Sequence, residues 1–131
     1  SRLIAYIKGQ ISKVKCISVP GASAVTAALS VSGVGADKFT FLGYPPHKKG
    51  RKKFFSELAD IKVRPVVLYE SPHRLGKAFL DLGDVLGMGR DIVVCKELTK
   101  IHEEVWRGSL SEALEYFVGV KGKGEFVLII P

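Results

Sequence analysis

Apolar positions recur along the chain with two alternating periods. Segments with the three-to-four-residue spacing of one helix face are separated by short runs that are continuously apolar or alternate every second residue. The first helical pattern, "LIAYI" at residues 3–7, precedes the strand-like run "VKCISV" at residues 14–19. The next helical pattern lies in "PGASAVTAALSVSG", where the recurring residues are small enough to let another backbone or a ligand approach closely.

Five further segments have the apolar spacing of strands. They are "KFTFLGY", "RPVVLYE", "DIVVCKEL", "EEVWRG" and "GEFVLII", at residues 38–44, 64–70, 91–98, 103–108 and 124–130. Helical patterns lie between them and have typical start signals, because Pro72 follows the capping residue Ser71, and Ser109 with Glu112 forms a capping-box pattern. The alternation predicts an α/β fold, with a mixed, mostly parallel sheet and helices on both faces.

Polar residues gather where three of the predicted strands end. They form "PGAS" at residues 20–23, "YESPHR" at residues 69–74 and "KELTK" at residues 96–100. Ligands of open α/β sheets bind beyond the carboxyl ends of the strands, so these clusters predict a ligand site. Each cluster also has a plainer interpretation: an ordinary turn, a capped helix start with solvated side chains, and a surface ion pair.

The side chains of these clusters suit proton transfer and anion binding. His73 and Arg74 lie in the first helical turn, where free backbone N–H groups and the helix dipole favour an anion or a polarised hydroxyl. Glu97 can accept a hydrogen bond from a ligand hydroxyl. Alternatively, Glu97 forms an ordinary ion pair with Lys96, Lys100 or Arg107. The sequence has no G-x-G-x-x-G, P-loop or G-x-S-x-G motif, and its histidines lack metal-ligand spacing, so it predicts no metal site.

Basic residues are concentrated in one segment of a chain whose net charge is +7. The segment "PPHKKGRKKFF", residues 45–55, contains the five cations Lys48, Lys49, Arg51, Lys52 and Lys53. Without them the net charge is about +2, so the basicity is local. Because cations oppose the dipole at a helix start, the cluster predicts contact with phosphate. A solvated helix face, attraction to a membrane surface and a nuclear-targeting motif are the alternatives.

Composition limits the class of protein. Apolar residues make up 47% of the 131 residues and charged residues 25%, which is typical of a globular domain. No apolar run reaches the length of a membrane helix, and no signal peptide is visible. Cys16 and Cys95 both lie in apolar runs, which favours buried free thiols in a reducing cytosol over a disulfide.

The order of five motifs resembles the C-terminal part of the tetrapyrrole methylase superfamily, in the branch that methylates small-subunit ribosomal RNA. The motifs are "PGASAVTAALSVSG", "FTFLGYPPHKKGRKK", "LYESPHRL", "CKELTKIHEEVWRGSL" and "KGEFVLII". The resemblance implies two α/β domains with S-adenosylmethionine in the cleft between them. It also implies 2′-O-methylation of a cytidine in 16S ribosomal RNA, by a bacterial, cytoplasmic homodimer that acts on the RNA or the 30S subunit.

The resemblance further implies roles for particular residues. Those expected to bind the cofactor are Ser23, Ala24, Tyr69, Leu98, Gly124 and Glu125. A positioned base would help to remove the ribose proton, and the catalytic candidates are Glu70, His73, Arg74 and Glu97. The residues expected to bind RNA are Lys48, Lys49, Arg51, Lys52 and Lys53.

The same resemblance predicts the domain boundaries. Residues 1–19 would be the end of a truncated N-terminal domain, and residues 20–131 the C-terminal methylase domain. The chain begins with Ser1 in a helix-like segment, so we expect a fragment that binds cofactor weakly and is inactive alone. The alternatives are another methylase of the superfamily, acting on a tetrapyrrole or a protein side chain, and a non-catalytic RNA-binding α/β module.

Overall fold

A computed structural model describes residues 2–11, 17–18, 20–117, 119 and 124–131. The helices are α1 (Arg2–Gln10), α2 (Ala24–Ser32), α3 (Arg51–Ala59), α4 (Leu75–Leu86) and α5 (Leu110–Tyr116). The strands are β1 (Thr40–Gly43), β2 (Val66–Glu70), β3 (Asp91–Lys96), β4 (Glu104–Ser109) and β5 (Phe126–Ile130). The strand predicted at residues 14–19 lies mostly outside the described residues, and so does Cys16.

The five strands form one sheet in the order β1-β2-β5-β3-β4. This confirms the predicted mixed α/β fold, but the expectation of a mostly parallel sheet is wrong. Among the described strands only β1 and β2 pair in parallel, whereas β2 with β5, β5 with β3, and β3 with β4 are antiparallel. A strand that is buried on both faces reads as a continuous apolar run in either direction, so the sequence pattern did not reveal strand direction.

Helices cover both faces of the sheet, as predicted. One face packs against α3, α4 and α5 through side chains such as Leu68, Val94 and Leu128. The residues that alternate with them, such as Val67 and Ile129, pack against α2 on the other face. All five residues of β5 are buried, as expected for a strand with neighbours on both edges and helices on both faces.

Two of the predicted helix starts differ in their local chemistry. At α5, Ser109 and Glu112 form the predicted capping box, in which each side chain accepts a hydrogen bond from the other residue's backbone N–H. At the exit of β2, Ser71 makes no side-chain cap. Pro72–Arg74 form a short 3₁₀ turn instead, and α4 begins only at Leu75.

Cys95 is a buried free thiol, which confirms the prediction for that residue. Its side chain lies on the α2 face of the sheet. Burial raises the pKa of the Cys95 thiol to about 11, so the group stays protonated and unreactive at neutral pH. In the part of the chain that the structure describes, no helix is long and apolar enough to cross a membrane.

Two leucines on α4 test this assignment of the core. Leu82 is fully buried, whereas Leu80, two residues earlier, is 50% exposed. We expect Leu82→Ala to lower the free energy of unfolding by about 2–5 kcal/mol, because it leaves a cavity. Leu80→Ala, the matched control, should cost less than about 1 kcal/mol. Urea denaturation measures both values, and equal losses would contradict the assignment.

Candidate active site

The exits of β2 and β3 meet at one edge of the sheet because β5 lies between them. Glu70 at the end of β2 is paired with Phe126 at the start of β5, and Phe126 is also paired with Lys96 at the end of β3. The structure therefore brings "YESPHR" and "KELTK" together, as their positions at strand ends predicted. Gly124 lies between them, since a Cβ there would be 3.6 Å from Cγ of Pro72 and 3.8 Å from Oε1 of Glu97.

A groove of about 510 Å³ runs along the start of α2 at this edge. We call it the α2 groove. Its lining residues are Gly21, Ala22, Ser23, Ala24, Thr26, Ala27, Ser30, Leu98, Thr99, Lys100 and Glu125. The α2 side is made of small residues, so the helix backbone approaches the cavity closely. Ser23 makes no side-chain cap, which leaves backbone N–H groups of the first helical turn without a capping side chain.

A smaller cavity of about 180 Å³ adjoins the α2 groove, and we call it the tyrosine pocket. Its lining residues are Ala24, Tyr44, Tyr69, Glu125, Phe126 and Val127. Ala24 and Glu125 line both cavities, so the two are neighbours. The Tyr69 ring packs against those of Tyr44 and Phe41, with ring centroids 5.4 Å and 4.9 Å apart.

Five of the six residues predicted to bind cofactor line these two cavities. They are Ser23, Ala24, Tyr69, Leu98 and Glu125. The sixth, Gly124, directly precedes Glu125 and lines neither cavity. The structure thus brings the predicted set together, while its role in binding stays a prediction.

Glu97 is engaged by its neighbours and not free. Its Oε1 accepts hydrogen bonds from the Lys100 ammonium at 3.1 Å and from the Glu125 backbone N–H at 2.8 Å. Lys100 also bonds the Glu125 carboxylate at 3.1 Å. The hydrogen bond from Lys100, followed by that from the Glu125 backbone, lowers the pKa of the Glu97 carboxyl. Of the ion pairs considered for Glu97, the structure therefore shows the one with Lys100.

The loop that holds Glu97 has an unusual backbone. Glu97 and Thr99 have φ of +49° and +66°, in the left-handed region that side chains other than glycine rarely adopt. The Thr99 backbone N–H donates to the carboxylate of Glu103, which helps to fix this conformation. Strained backbone of this kind is typical of functional loops, and here it turns Leu98 and Thr99 to the wall of the α2 groove.

The other carboxylate candidate, Glu70, is buried. It is 1% exposed, its Oε1 accepts a hydrogen bond from the Ser71 backbone N–H at 2.7 Å, and the same oxygen forms an ion pair with Arg74 at 2.9 Å. Arg51 lies 3.9 Å from its other oxygen. A carboxylate in this environment has no access to a substrate hydroxyl in this structure, so the geometry favours a structural role over proton abstraction.

Arg51 corrects the prediction of five exposed, phosphate-binding cations. It is only 4% exposed, and its Nε donates to Asp81 at 2.6 Å. Its stem and guanidinium pack against the ring of Phe55, with Cζ 5.0 Å from the ring centroid. The physical reason is the acidic pair beneath the helix start: Asp81 and Glu70 compensate a cation that would otherwise oppose the dipole of α3.

The remaining predicted residues are exposed. Lys48, Lys49, Lys52 and Lys53 lie on the surface, and we call them the lysine cluster. Lys53 forms one solvent-exposed pair with Glu57 at 3.6 Å, an interaction that contributes little to stability. His73 is also exposed and has no hydrogen bond or ion pair to the described residues. It is the exposed member of the four catalytic candidates.

Sequence reasoning missed Asp81 and did not single out Lys100 among three possible partners of Glu97. Asp81 lies thirty residues after its partner Arg51, so no local spacing in the sequence indicates the pair. Lys100 follows Glu97 by three residues and was considered only as an ion-pair partner. In the described ranges no group of three or more His, Cys, Asp or Glu side chains is arranged to hold a metal ion.

The fold and this site define a class of protein. The family model for tetrapyrrole (corrin/porphyrin) methylases matches residues 1–114, so the chain belongs to that family. The structure resembles that of cobalt precorrin-4 methyltransferase, with a TM-score of 0.64 at 16% identity, over 97% of this chain and 56% of that one. It also resembles uroporphyrin-III C-methyltransferase from Thermus thermophilus complexed with S-adenosyl homocysteine, with a TM-score of 0.54 at 17% identity, over 84% and 50% of the two chains.

Relatives in sequence point to one branch of the family. The chain is 42% identical to ribosomal RNA small subunit methyltransferase I of Synechocystis sp., over 91% of this chain and 43% of that protein. It is 44% identical to the protein of that name from Mycobacterium tuberculosis, over 90% and 41%, and 38% identical to the one from Thermotoga maritima, over 86% and 50%. The chain therefore spans half or less of the length of these relatives.

The Lys100 contacts predict how Glu97 titrates. Because the pKa of Glu97 is lower in the folded state, its ionised carboxylate stabilises the fold at pH values above the ordinary carboxyl pKa. This contribution is lost as the pH falls through the lowered pKa. We expect Lys100→Met to raise the pKa of Glu97 towards its ordinary value. Carbon-detected NMR of the Glu97 carboxyl against pH measures the shift. Lys77→Met, at an exposed lysine on α4, is the control. An unchanged Glu97 titration in Lys100→Met would show that the ion pair is not formed in solution.

Proposed function

We propose that this chain is part of an S-adenosylmethionine-dependent methyltransferase that modifies the ribose 2′-hydroxyl of a cytidine in small-subunit ribosomal RNA. The observation that carries the proposal is the convergence of residues from five chain segments on two adjoining cavities, at the sheet edge from which the loop of the lysine cluster departs. The names of the sequence relatives support methylation of small-subunit ribosomal RNA. The cytoplasmic location and homodimeric state that the resemblance implies belong to this proposal.

The α2 groove fits S-adenosylmethionine in size and chemistry. Its volume of about 510 Å³ lies in the range of pockets for ligands of this class. The start of α2, at Ser23 and Ala24, offers backbone N–H groups and a positive dipole end to a carboxylate. Tyr69 offers an aromatic face at the adjoining pocket, and Leu98 an apolar wall. When bound, the cofactor supplies a methyl group on a sulfonium, which is already electrophilic.

The proton of the ribose hydroxyl needs an acceptor at the same edge of the sheet. The imidazole of His73 is exposed and carries no competing hydrogen bond among the described residues, so we assign it the role of general base. Glu97, with a lowered pKa and two donors on Oε1, holds Lys100 and Glu125 in place. Glu70 and Arg74 position the turn that presents His73.

RNA phosphates would bind to the lysine cluster. Its four ammonium groups lie on a loop and first helical turn that begin directly after Tyr44, a residue of the tyrosine pocket. Clustered exposed lysines bind phosphates without regard to sequence and release counterions. The same cluster argues against the second candidate, a tetrapyrrole or protein methylase, because neither substrate requires four clustered cations. A non-catalytic RNA-binding module does not require the paired cavities.

Replacing His73 tests the catalytic assignment. In the whole methyltransferase of which this chain is part, we expect His73→Ala to lower the single-turnover rate of ribosomal RNA methylation by about 100-fold or more, because a positioned base contributes that much. Affinity for S-adenosylmethionine, measured by calorimetry, should change less than about twofold. His102→Ala, at another exposed histidine, is the matched control and should keep the full rate. A His73→Ala rate within about threefold of the unmodified protein would remove His73 from the mechanism.

Neutralising the lysine cluster tests the RNA interface. The variant with all four lysines replaced by Gln should bind ribosomal RNA more weakly. Its slope of log K against log salt should fall by about 3, since each single-strand phosphate contact contributes roughly 0.7. Replacing Lys62 and Lys77, two exposed lysines elsewhere, removes half as much charge and should lower the slope by much less than half as much. Loss of cofactor affinity with intact RNA affinity would contradict the assignment.

A further inference from the structure

Two arginine side chains donate hydrogen bonds to backbone carbonyl groups of the loop between β1 and α3. Arg51 donates from Nη1 to the Pro46 carbonyl at 3.1 Å, and Arg74 donates from Nη1 to the Pro45 carbonyl at 3.3 Å. Both arginines pair with the same carboxylate, that of Glu70, at 3.9 Å and 2.9 Å. Two consecutive carbonyl groups at the base of the loop are thus tied to the exit of β2.

Arg51 is the more buried of the two tethers and joins more elements. It lies at the first position of α3, yet its guanidinium contacts Asp81 on α4, the loop carbonyl of Pro46, and Glu70 on β2. Within the described residues, its Nη2 and Oε2 of Glu70 have no hydrogen-bond partner. The buried group therefore keeps one unpaired donor and one unpaired acceptor, and among its contacts the Asp81 pair is the shortest to Arg51.

The contacts of Arg51 connect the lysine cluster to the exit of β2. The loop carries Lys48 and Lys49, and the first turn of α3 carries Lys52 and Lys53. Four like charges on a short segment repel each other, so the segment needs an attachment to keep them together. Arg51 lies in the midst of these lysines in sequence, but it points into the protein and provides that attachment.

We propose that Arg51 is a positioning residue for RNA binding, which acts through the loop and does not contact phosphate. By fixing the Pro46 carbonyl and α3 to Asp81 and Glu70, it sets the lysine cluster at a fixed place relative to the β2 exit. RNA bound by the lysines then presents one ribose to the turn of His73. This inference rests on the proposed function.

Two substitutions separate positioning from direct contact. Arg51→Lys keeps the positive charge but cannot bond Asp81 and the Pro46 carbonyl together in the fork geometry of a guanidinium. If Arg51 positions the loop, Arg51→Lys should weaken binding of a small-subunit ribosomal RNA fragment by about tenfold and lower its salt slope by more than 1, because several lysine contacts are lost together. Asp81→Asn, a milder change at a residue far from RNA, should act in the same direction.

Arg64→Met is the matched control. Arg64 is also partly buried, and it bonds the carbonyls of Leu58 and Ala59 at the other end of α3. This variant should destabilise the fold in urea denaturation without changing the salt slope. Binding is measured below the unfolding transition of every variant, so a general loss of stability does not enter the comparison.

The outcomes are distinct. Wild-type affinity and salt slope in both Arg51→Lys and Asp81→Asn, with both folded, would overturn the inference. The inference would also be overturned if Arg51→Lys kept nearly normal RNA affinity and salt slope while Arg51→Met lowered the salt slope by about one unit. That pair of results would show that Arg51 contacts phosphate directly. If either result accompanies weakened binding by the four-lysine variant, the proposed function stands. If the four-lysine variant binds normally, the RNA interface itself is wrong.

Discussion

The insertion of β5 between β2 and β3 is the constraint on which the site depends. β2 and β3 are not paired with each other, so β5 alone sets the distance and register between their exits. All five of its residues are buried, which leaves no freedom to slide, because a shift of one residue would exchange the two faces of the strand. The residues just before β5, Gly124 and Glu125, are thereby placed between "YESPHR" and "KELTK".

The basic segment combines two physical roles that sequence alone does not separate. Its arginine is buried, where a planar guanidinium can satisfy Asp81, Pro46 and Glu70 from one position. Its lysines are exposed, as suits strongly hydrated ammonium groups. Burial of Arg51 is tolerated because two carboxylates offset the loss of its hydration. The choice of arginine or lysine within the run thus matches the burial of each position.

Apolar periodicity was sufficient to predict most elements, because each helix face and each buried strand is a local property. The capping box of Ser109 and Glu112 could be predicted for the same reason, whereas the meeting of two strand exits was predicted from the rule that ligands of α/β sheets bind beyond the carboxyl ends of strands. Strand direction could not be predicted from the sequence, since an apolar run has the same pattern in a parallel and an antiparallel strand. Nor could the burial of Arg51, which depends on Asp81, a residue thirty positions later in the chain. Lys100 was one of three possible ion-pair partners of Glu97, and only the conformation of the loop shows that it is the partner.

The central place of β5 also orders events during synthesis. β1–β2 and β3–β4 are made before it, and each half of the sheet then has one unpaired edge that β5 will later occupy. Open strand edges of this kind are liable to pair with other chains. The sheet can close only after residues 126–130 have left the ribosome, so the nascent chain has no assembled cavity until β5 emerges. The cavities built around β5 therefore form only in a polypeptide whose translation has passed that strand.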